Sequence, residues 1–502
     1  MTKAGTDEPF FCDERRINFL SAFYNILKGV KRMIHKYKLN GYNICLDVHS
    51  GAVHVLDDIA YDVLGYCDEA MAENAPEKMY DELSDKYGRE ELEETYSALY
   101  ELYEMGQLFS SDDYEQFADL MTKAPIKSMC INISHDCNLR CEYCFAAKGD
   151  FGQGRCLMSF ETAKKAIDFI IANSGTRHNL EVDFFGGEPL MNFEVVKQTV
   201  EYARSIEKEH NKNFRFTITT NGLLLDDEKI DYINKEMSNV VLSLDGRKEI
   251  NDKLRVTPNG KGCYDIIVPK YQRLVSKRGD KDYYVRGTFT TFSEDFTADV
   301  MHMKSLGFDQ ISIEPVVSDP QLDYSIKYED LPKVFDEYEK LAKTVIETRK
   351  NGDFFNFFHF MIDLNQGPCA IKRLRGCGCG NEYVAVTPQG DIYPCHQFVG
   401  HEEYKMGNLN DGTFDNDMKL KFAKANVYSK ENCKNCWAKF YCSGGCNANN
   451  FQYEGDILKS HKVGCELEKK RLECAIMIKA ALADYGVENS ACDGEDCFVE
   501  CH

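Results

Sequence analysis

Residues 42 to 56, YNICLDVHSGAVHVL, alternate Ile44, Leu46 and Val48 with polar neighbours, turn at His49-Ser50-Gly51 and resume with Val53 and Val55. That period of two is the pattern of a β-hairpin. Asp57 stands where it can cap a helix running through Leu64, and Leu92, Tyr96, Leu99 and Tyr103 recur at helical spacing. Residues 37–113 therefore read as a small winged-helix unit, preceded by an extension (1–36) and followed by a linker (114–127). Its acidic helices argue against a DNA reader. From residue 128 the pattern becomes strand, loop, helix, repeated. The strands expected are 129–134, 181–185, 215–220, 239–244, 283–290 and 310–315, and helical runs such as SFETAKKAIDFIIA and DDEKIDYINKEM separate most of them. This is the signature of parallel βα units with buried strands. Six units over 128–345 predict an α/β fold, a partial (β/α)6 barrel whose chemistry sits at the C-terminal ends of its strands.

Beyond residue 350 the periodicity fades and cysteines take over, at Cys369, Cys377, Cys379, Cys395, Cys433, Cys436, Cys442, Cys446 and Cys465. Residues 346–475 read as a metal-organised, cysteine-rich domain, and 476–502 as an acidic, disordered tail.

Charge and composition narrow the function. With 60 Lys plus Arg against 82 Asp plus Glu in 502 residues, the net charge of −22 repels a phosphate backbone, so no nucleic-acid partner is expected. No stretch approaches the roughly 18 apolar residues that span a bilayer, and the N-terminus lacks a secretory layout. A cytoplasmic address without a membrane partner is the expectation. The 22 cysteines are then the outlier, because a reducing compartment does not favour disulfides.

The stretch ISHDCNLRCEYCFAAKG (133–149) sets Cys137, Cys141 and Cys144 as C-x3-C-x2-C. A structural zinc site wants four closed ligands, and His135, Asp136 and Tyr143 are poorly spaced to supply a fourth. Three thiolates on a 4Fe-4S cluster leave one iron open, as a catalytic metal does.

The C-x3-C-x2-C spacing, with aromatic Tyr143 before the last cysteine, resembles the signature of the radical S-adenosylmethionine (SAM) family. FFGGEP at 184–189 is similar to the family's GGEP motif, and TTNG (219–222) and SLDG (243–246) fall at strand ends where relatives contact the cofactor. The resemblance implies that S-adenosylmethionine binds the open iron through its amino and carboxylate groups and is cleaved to a 5'-deoxyadenosyl radical. It implies cofactor contacts at Tyr143, Gly186, Gly187 and Glu188, with Ser243 and Arg255 toward the carboxylate. The later cysteines resemble the SPASM extension. By that resemblance Cys433, Cys436, Cys442 and Cys465 hold one auxiliary 4Fe-4S cluster and Cys377, Cys395 and Cys446 another, with Cys369 as a possible fourth ligand and Cys379 as a rival to Cys377. Three clusters in all are implied. The remaining cysteines, among them Cys12, Cys45, Cys67, Cys130, Cys156, Cys263 and Cys474, read as ordinary thiols, and Cys492, Cys497 and Cys501 have no assigned role.

The order of winged unit, radical core and SPASM domain is similar to maturases of ribosomally made peptides. NGYNICLDVHSGAVHVLDDIAYDVL and GCGNEYVAVTPQGDIYPCHQFVG look especially like the six-cysteine (SCIFF) peptide maturases, over about Met33 to residue 475. Those enzymes join a cysteine sulfur to a non-α carbon, typically of threonine. The implied partners are a precursor peptide whose leader adds as a strand to the 42–56 hairpin, and an electron donor such as flavodoxin or ferredoxin. The first 32 residues have no counterpart in the resemblance, which points to Met33 as the translational start. A sulfatase-maturing enzyme, which forms formylglycine with the same cofactors, is the nearest alternative. In that family an Asp base follows the second SPASM cysteine, whereas here Cys395 is followed by His396. A multi-cluster electron carrier is the alternative of another class, but it has no use for an open iron beside GGEP.

Overall fold

The computed structural model describes residues 32–118, 120–364 and 370–484. Cys369, most of the N-terminal extension and the tail cysteines lie outside the described residues. Residues 32–36 with 45–115 form one compact unit, and 37–44 with 116–484 another.

The smaller unit holds most of a three-stranded sheet, in the order β1 (Ile34–Leu39), β2 (Tyr42–Asp47), β3 (Val53–Leu56). The 42–56 hairpin is therefore two of three strands, and β2 is central, with the sheet's edges at β1 and β3. The helix Asp58–Val63 begins as expected, with the Asp57 carboxylate accepting from the Ala60 amide, a cap worth about 1 kcal/mol. Helix Arg89–Glu104 buries Leu92, Tyr96 and Leu99 against Ile59, Val63, Met79 and Tyr80. The apolar spacing thus gives the packing directly.

In the larger unit six parallel strands lie side by side in chain order: β4 (Ser128–Ser134), β5 (Asn179–Gly186), β6 (Asn213–Thr220), β7 (Asn239–Ser243), β8 (Tyr284–Phe289) and β9 (Gln310–Pro315). β4 and β9 do not pair with each other. β9 pairs in parallel with β10 (Asn356–Phe357), and β4 in parallel with β11 (Tyr383–Val386). Antiparallel β12 (Asp391–Tyr393), β13 (Gly407–Asn408) and β14 (Thr413–Phe414) continue from β11. The cysteine-rich segment thus shares its sheet with the βα units, a continuity that no local pattern announces.

The strands are not buried on both faces throughout, as the βα pattern suggested. In β5 and β6, Leu180, Val182, Phe184, Phe214, Phe216 and Ile218 are fully buried, whereas Asp183, Phe185, Arg215, Thr217 and Thr219 are half-buried. One face packs into the core while the other keeps polar groups, so the sequence alternates where an all-buried strand would run apolar. The final helix runs Lys462–Asp484, so the boundary expected at 475 falls inside it; Ile476, Met477, Ile478, Ala481 and Leu482 are buried on it. Apolar packing holds these residues in a helix despite the acidity that follows.

Candidate functional site

The C-x3-C-x2-C loop leaves the C-terminal end of β4 and lies against the end of β5. Gly187 and Gly149 permit this approach. A Cβ on Gly187 would stand 2.3 Å from the Asp136 carbonyl oxygen and 2.8 Å from that of Gly149, and a Cβ on Gly149 would stand 2.5 Å from Cys137 Cβ. Gly149 also has φ +106°, where side chains are strained. The Gly187 amide donates to the Ser134 carbonyl (2.7 Å) and the Glu188 amide to that of Asp136 (2.9 Å). On its far side the loop is held by Arg140 and Glu142, whose amides donate to the carbonyls of Val256 (2.7 Å) and Leu254 (3.0 Å).

Glu188 is fully buried. Its carboxylate accepts from the Leu190 amide (3.0 Å), the Thr220 hydroxyl (2.8 Å) and the Asn221 amide (2.8 Å), bracing the end of β5 to the end of β6. Burial pushes its pKa from 4.5 up to about 7, outweighing those bonds. Three of about four acceptor positions are occupied within the protein. Asn221 in turn donates to Asn138 Oδ1 (2.7 Å) and toward Cys137 Sγ (3.6 Å), which also accepts from the Leu139 amide (3.4 Å).

Tyr143, the aromatic residue of the motif, donates to Asp245 Oδ2 at 2.6 Å and accepts from Arg255 Nη1 at 3.0 Å. Asp245 Oδ1 accepts from the Thr288 amide (3.1 Å) and lies 3.9 Å from Arg255 Nη1. Burial raises the Asp245 carboxyl, and the Arg255 guanidinium opposes that rise. Ser243 ends β7, where its carbonyl accepts from Tyr271 (3.1 Å). Sequence reasoning placed weight on Ser243 and missed Asp245, Asn221 and Thr220. All three lay inside the quoted SLDG and TTNG stretches at strand ends, but motif spacing does not say which member turns inward.

Burial pushes the thiols of Cys137 and Cys141 up to about 11 and about 12, while the Arg255 charge pulls both down. Such thiols become thiolates when a metal supplies the charge. Among the described residues no three His, Cys, Asp or Glu side chains converge to hold a single ion. Thiolates on an iron–sulfur cluster bind separate irons, and the N–H donors at Cys137 and the cation beside Cys141 suit that anionic group.

The later cysteines fall into two electrostatic neighbourhoods. Cys379 is acted on by Cys395, Cys377 and Cys446, and its thiol donates to Cys395, which this bond and the amides of Gln397 and Phe398 pull below the usual thiol range. Cys377 and Cys379 thus share one neighbourhood with Cys395 and Cys446. Cys442 is acted on by Cys465, Cys433 and Cys436, and Cys465 by Cys433 and Cys436. Next to Cys395, His396 Nδ1 lies 3.2 Å from the Tyr383 hydroxyl, and its ring centre is 5.4 Å from Phe145 and 5.0 Å from Phe185. His396 thus faces residues adjoining both Cys144 and Gly186. Cys45, Cys130, Cys263 and Cys474 are buried free thiols, and Cys67 and Cys156 are half-buried ones.

Residues 131–291 match the model of the radical SAM superfamily, and 377–437 that of the SPASM iron–sulfur cluster-binding domain. The chain is 23% identical over 488 residues to the radical SAM cyclopropyl synthase TigE of Paramaledivibacter caminithermalis, covering 90% of this chain and 96% of that one. It is 34% identical to a functionally unassigned protein of Methanocaldococcus jannaschii, over 62% of this chain and 96% of that one. A cysteine-type anaerobic sulfatase-maturating enzyme of Clostridium novyi is 26% identical over 63% of this chain and 86% of its own. The solved structure of native anSMEcpe with bound AdoMet and Kp18Cys peptide shares the fold, with a TM-score of 0.60 at 22% identity, covering 72% of this chain and 100% of that one.

Proposed function

We propose, from the premise that this chain belongs to the radical SAM superfamily and carries the SPASM iron–sulfur cluster-binding domain, that it matures a ribosomally made, cysteine-rich peptide by forming thioethers. In this reading a precursor cysteine sulfur is joined to a non-α carbon, typically of threonine. Cys137, Cys141 and Cys144 hold the catalytic 4Fe-4S cluster. Cys433, Cys436, Cys442 and Cys465 hold one auxiliary cluster. Cys377, Cys395 and Cys446 hold the other, with Cys379 the described candidate for its fourth ligand. When bound, the reduced catalytic cluster and S-adenosylmethionine supply a 5'-deoxyadenosyl radical, and an auxiliary cluster supplies a one-electron acceptor. The protein's own part is to hold and shield. Gly187 and Gly149 fix the cysteine loop, Glu188 braces the ends of two strands, and Arg255 with Tyr143 and Asp245 sets the charge beside Cys141. Gly186 and Ser243 stand at strand ends, where they adjoin the cofactor in this reading.

The observation that carries the peptide-maturase reading is the compact unit at 45–115, which lies outside the residues 131–291 and 377–437 matched by the two family models. The anSMEcpe structure accounts for all of its own chain and 72% of this one, so part of this chain has no counterpart in it. That unit ends its sheet in the edge strand β3, where Val55 is 55% exposed. An open edge offers backbone groups for strand addition by a leader peptide. The sulfatase-maturing alternative has the support of the Clostridium novyi relative, but the Asp base it needs after Cys395 is replaced by His396.

The test is an oxygen-free reaction of the reconstituted full chain with S-adenosylmethionine, a flavodoxin, ferredoxin or chemical reductant and a cysteine-rich precursor. The expected product has lost two hydrogens per crosslink, with one thiol fewer available to alkylation for each. Unchanged thiol counts with the same mass loss would turn the reading toward carbon–carbon ring closure, and an aldehyde product toward formylglycine. Val55→Lys, which blunts the edge without touching the core, should weaken leader binding by about 3- to 10-fold; unchanged binding would remove the unit from peptide recognition.

A further inference from the structure

Lys430 is a lysine cut off from water, 1% exposed. Its ammonium donates to the Gly444 carbonyl and to Asn447 Oδ1, both at 2.7 Å. A Cβ on Gly444 would stand 3.3 Å from its Nζ. Its backbone carbonyl accepts the Cys433 amide at 3.0 Å. The side chain therefore ties the segment that begins the Cys433 quartet to Gly444, two residues before Cys446 of the other quartet, and to Asn447, the residue after it.

Two neutral oxygens do not compensate a buried cation. Taking an ammonium out of water costs several kcal/mol unless an opposite charge faces it, and no carboxylate among the described residues pairs with Lys430. Burial lowers its pKa, and the groups that oppose this are all sulfurs: Cys433 and Cys442 of one quartet, then Cys446 and Cys377 of the other. Thiolate-bound iron–sulfur clusters are anions, and their potentials respond to nearby charge and hydrogen bonding.

We propose that Lys430 is the shared counter-charge of two auxiliary clusters, raising the reduction potential of both at once. A fixed positive charge in a low-dielectric site favours the more negative, reduced form of each neighbour. Bonded to the Cys433 amide on one side and to Gly444 and Asn447 near Cys446 on the other, it acts on the two together. Lys430 touches no substrate and is a positioning residue. The inference rests on the reading of two auxiliary clusters given above.

The experiment is redox titration followed by electron paramagnetic resonance, with iron and sulfide counts, on the anaerobically reconstituted full chain and its Lys430→Met and Lys430→Gln variants. The cluster on Cys137, Cys141 and Cys144 serves as an internal reference. Both variants should shift both auxiliary midpoints to more negative potential and leave the reference in place. Gln keeps a donor without the charge, so wild-type potentials in that variant would overturn the proposal, as would a shift in only one cluster or in neither. Should the variants lose iron, loss from both auxiliary sites supports a shared role and loss from one refutes it. If the wild-type chain itself holds fewer than two auxiliary clusters, the cluster assignment falls and Lys430 with it. If it holds two, the outcome judges Lys430 alone.

Discussion

Gly187→Ala adds one methyl group to the site and removes no chemical function. Its Cβ would meet the Asp136 carbonyl oxygen at 2.3 Å, against an ordinary contact of 3.4 Å or more, so the cysteine loop must retreat by about 1 Å. The bonds from Gly187 to Ser134 (2.7 Å) and from Glu188 to Asp136 (2.9 Å) would stretch beyond the roughly 3.2 Å at which such bonds hold. Two backbone bonds at about 1 kcal/mol each, plus one to two more for the buried groups left unpaired, give about 3–4 kcal/mol against the wild-type loop position. Since about 1.4 kcal/mol is tenfold, cluster occupancy at limiting iron should fall by at least ~10-fold, and S-adenosylmethionine cleavage with it. Iron counting and a deoxyadenosine assay on anaerobically reconstituted protein measure both. Gly88→Ala is the control, because a Cβ there meets nothing within 4 Å and its φ of −65° suits any residue. Wild-type iron content and cleavage in Gly187→Ala would show that the loop does not depend on this approach, and the reasoning would fail.

Glu188→Gln tests the buried carboxyl through pH. The folded pKa of about 7 is raised above 4.5, so the stability associated with this group is fully present below about pH 4.5 and is lost as pH rises through 7. The wild-type chain should lose about 2.5 kcal/mol relative to Glu188→Gln between pH 5 and pH 8, read as the difference in urea midpoints of the cluster-free proteins; a difference independent of pH refutes it. Changing Cys137, Cys141 and Cys144 together to Ala should abolish deoxyadenosine formation and leave the iron of the later cysteines in place, and persistent cleavage would refute the three-thiolate reading. Asp245→Asn leaves Arg255 without its nearest carboxylate and should slow cleavage by about 10-fold, for the loss of roughly 1.5 kcal/mol in a charge-assisted bond; an unchanged rate would place the Tyr143 network outside the reaction.

Local pattern sufficed for most of the elements and for the cysteine spacings that suit iron–sulfur clusters. The period of two wrote out β2 and β3, the repeated strand, loop and helix wrote out β4 to β9 within a residue or two, Asp57 and the Leu92 stripe wrote out two helices, and the C-x3-C-x2-C spacing marked Cys137, Cys141 and Cys144. Such signals survive in one dimension because side-chain periodicity and ligand spacing are properties of a short length of chain. Tertiary packing alone set β11 beside β4 and made Glu188 a brace across β5 and β6. It also put Asp245, not Ser243, against Tyr143 and Arg255, and bonded the buried Lys430 to Gly444 and Asn447. Each of these joins residues tens to hundreds of positions apart. Which distant groups meet depends on strand order and register, fixed by the burial of whole faces and by the need to satisfy every buried polar group. No short stretch of sequence encodes that outcome.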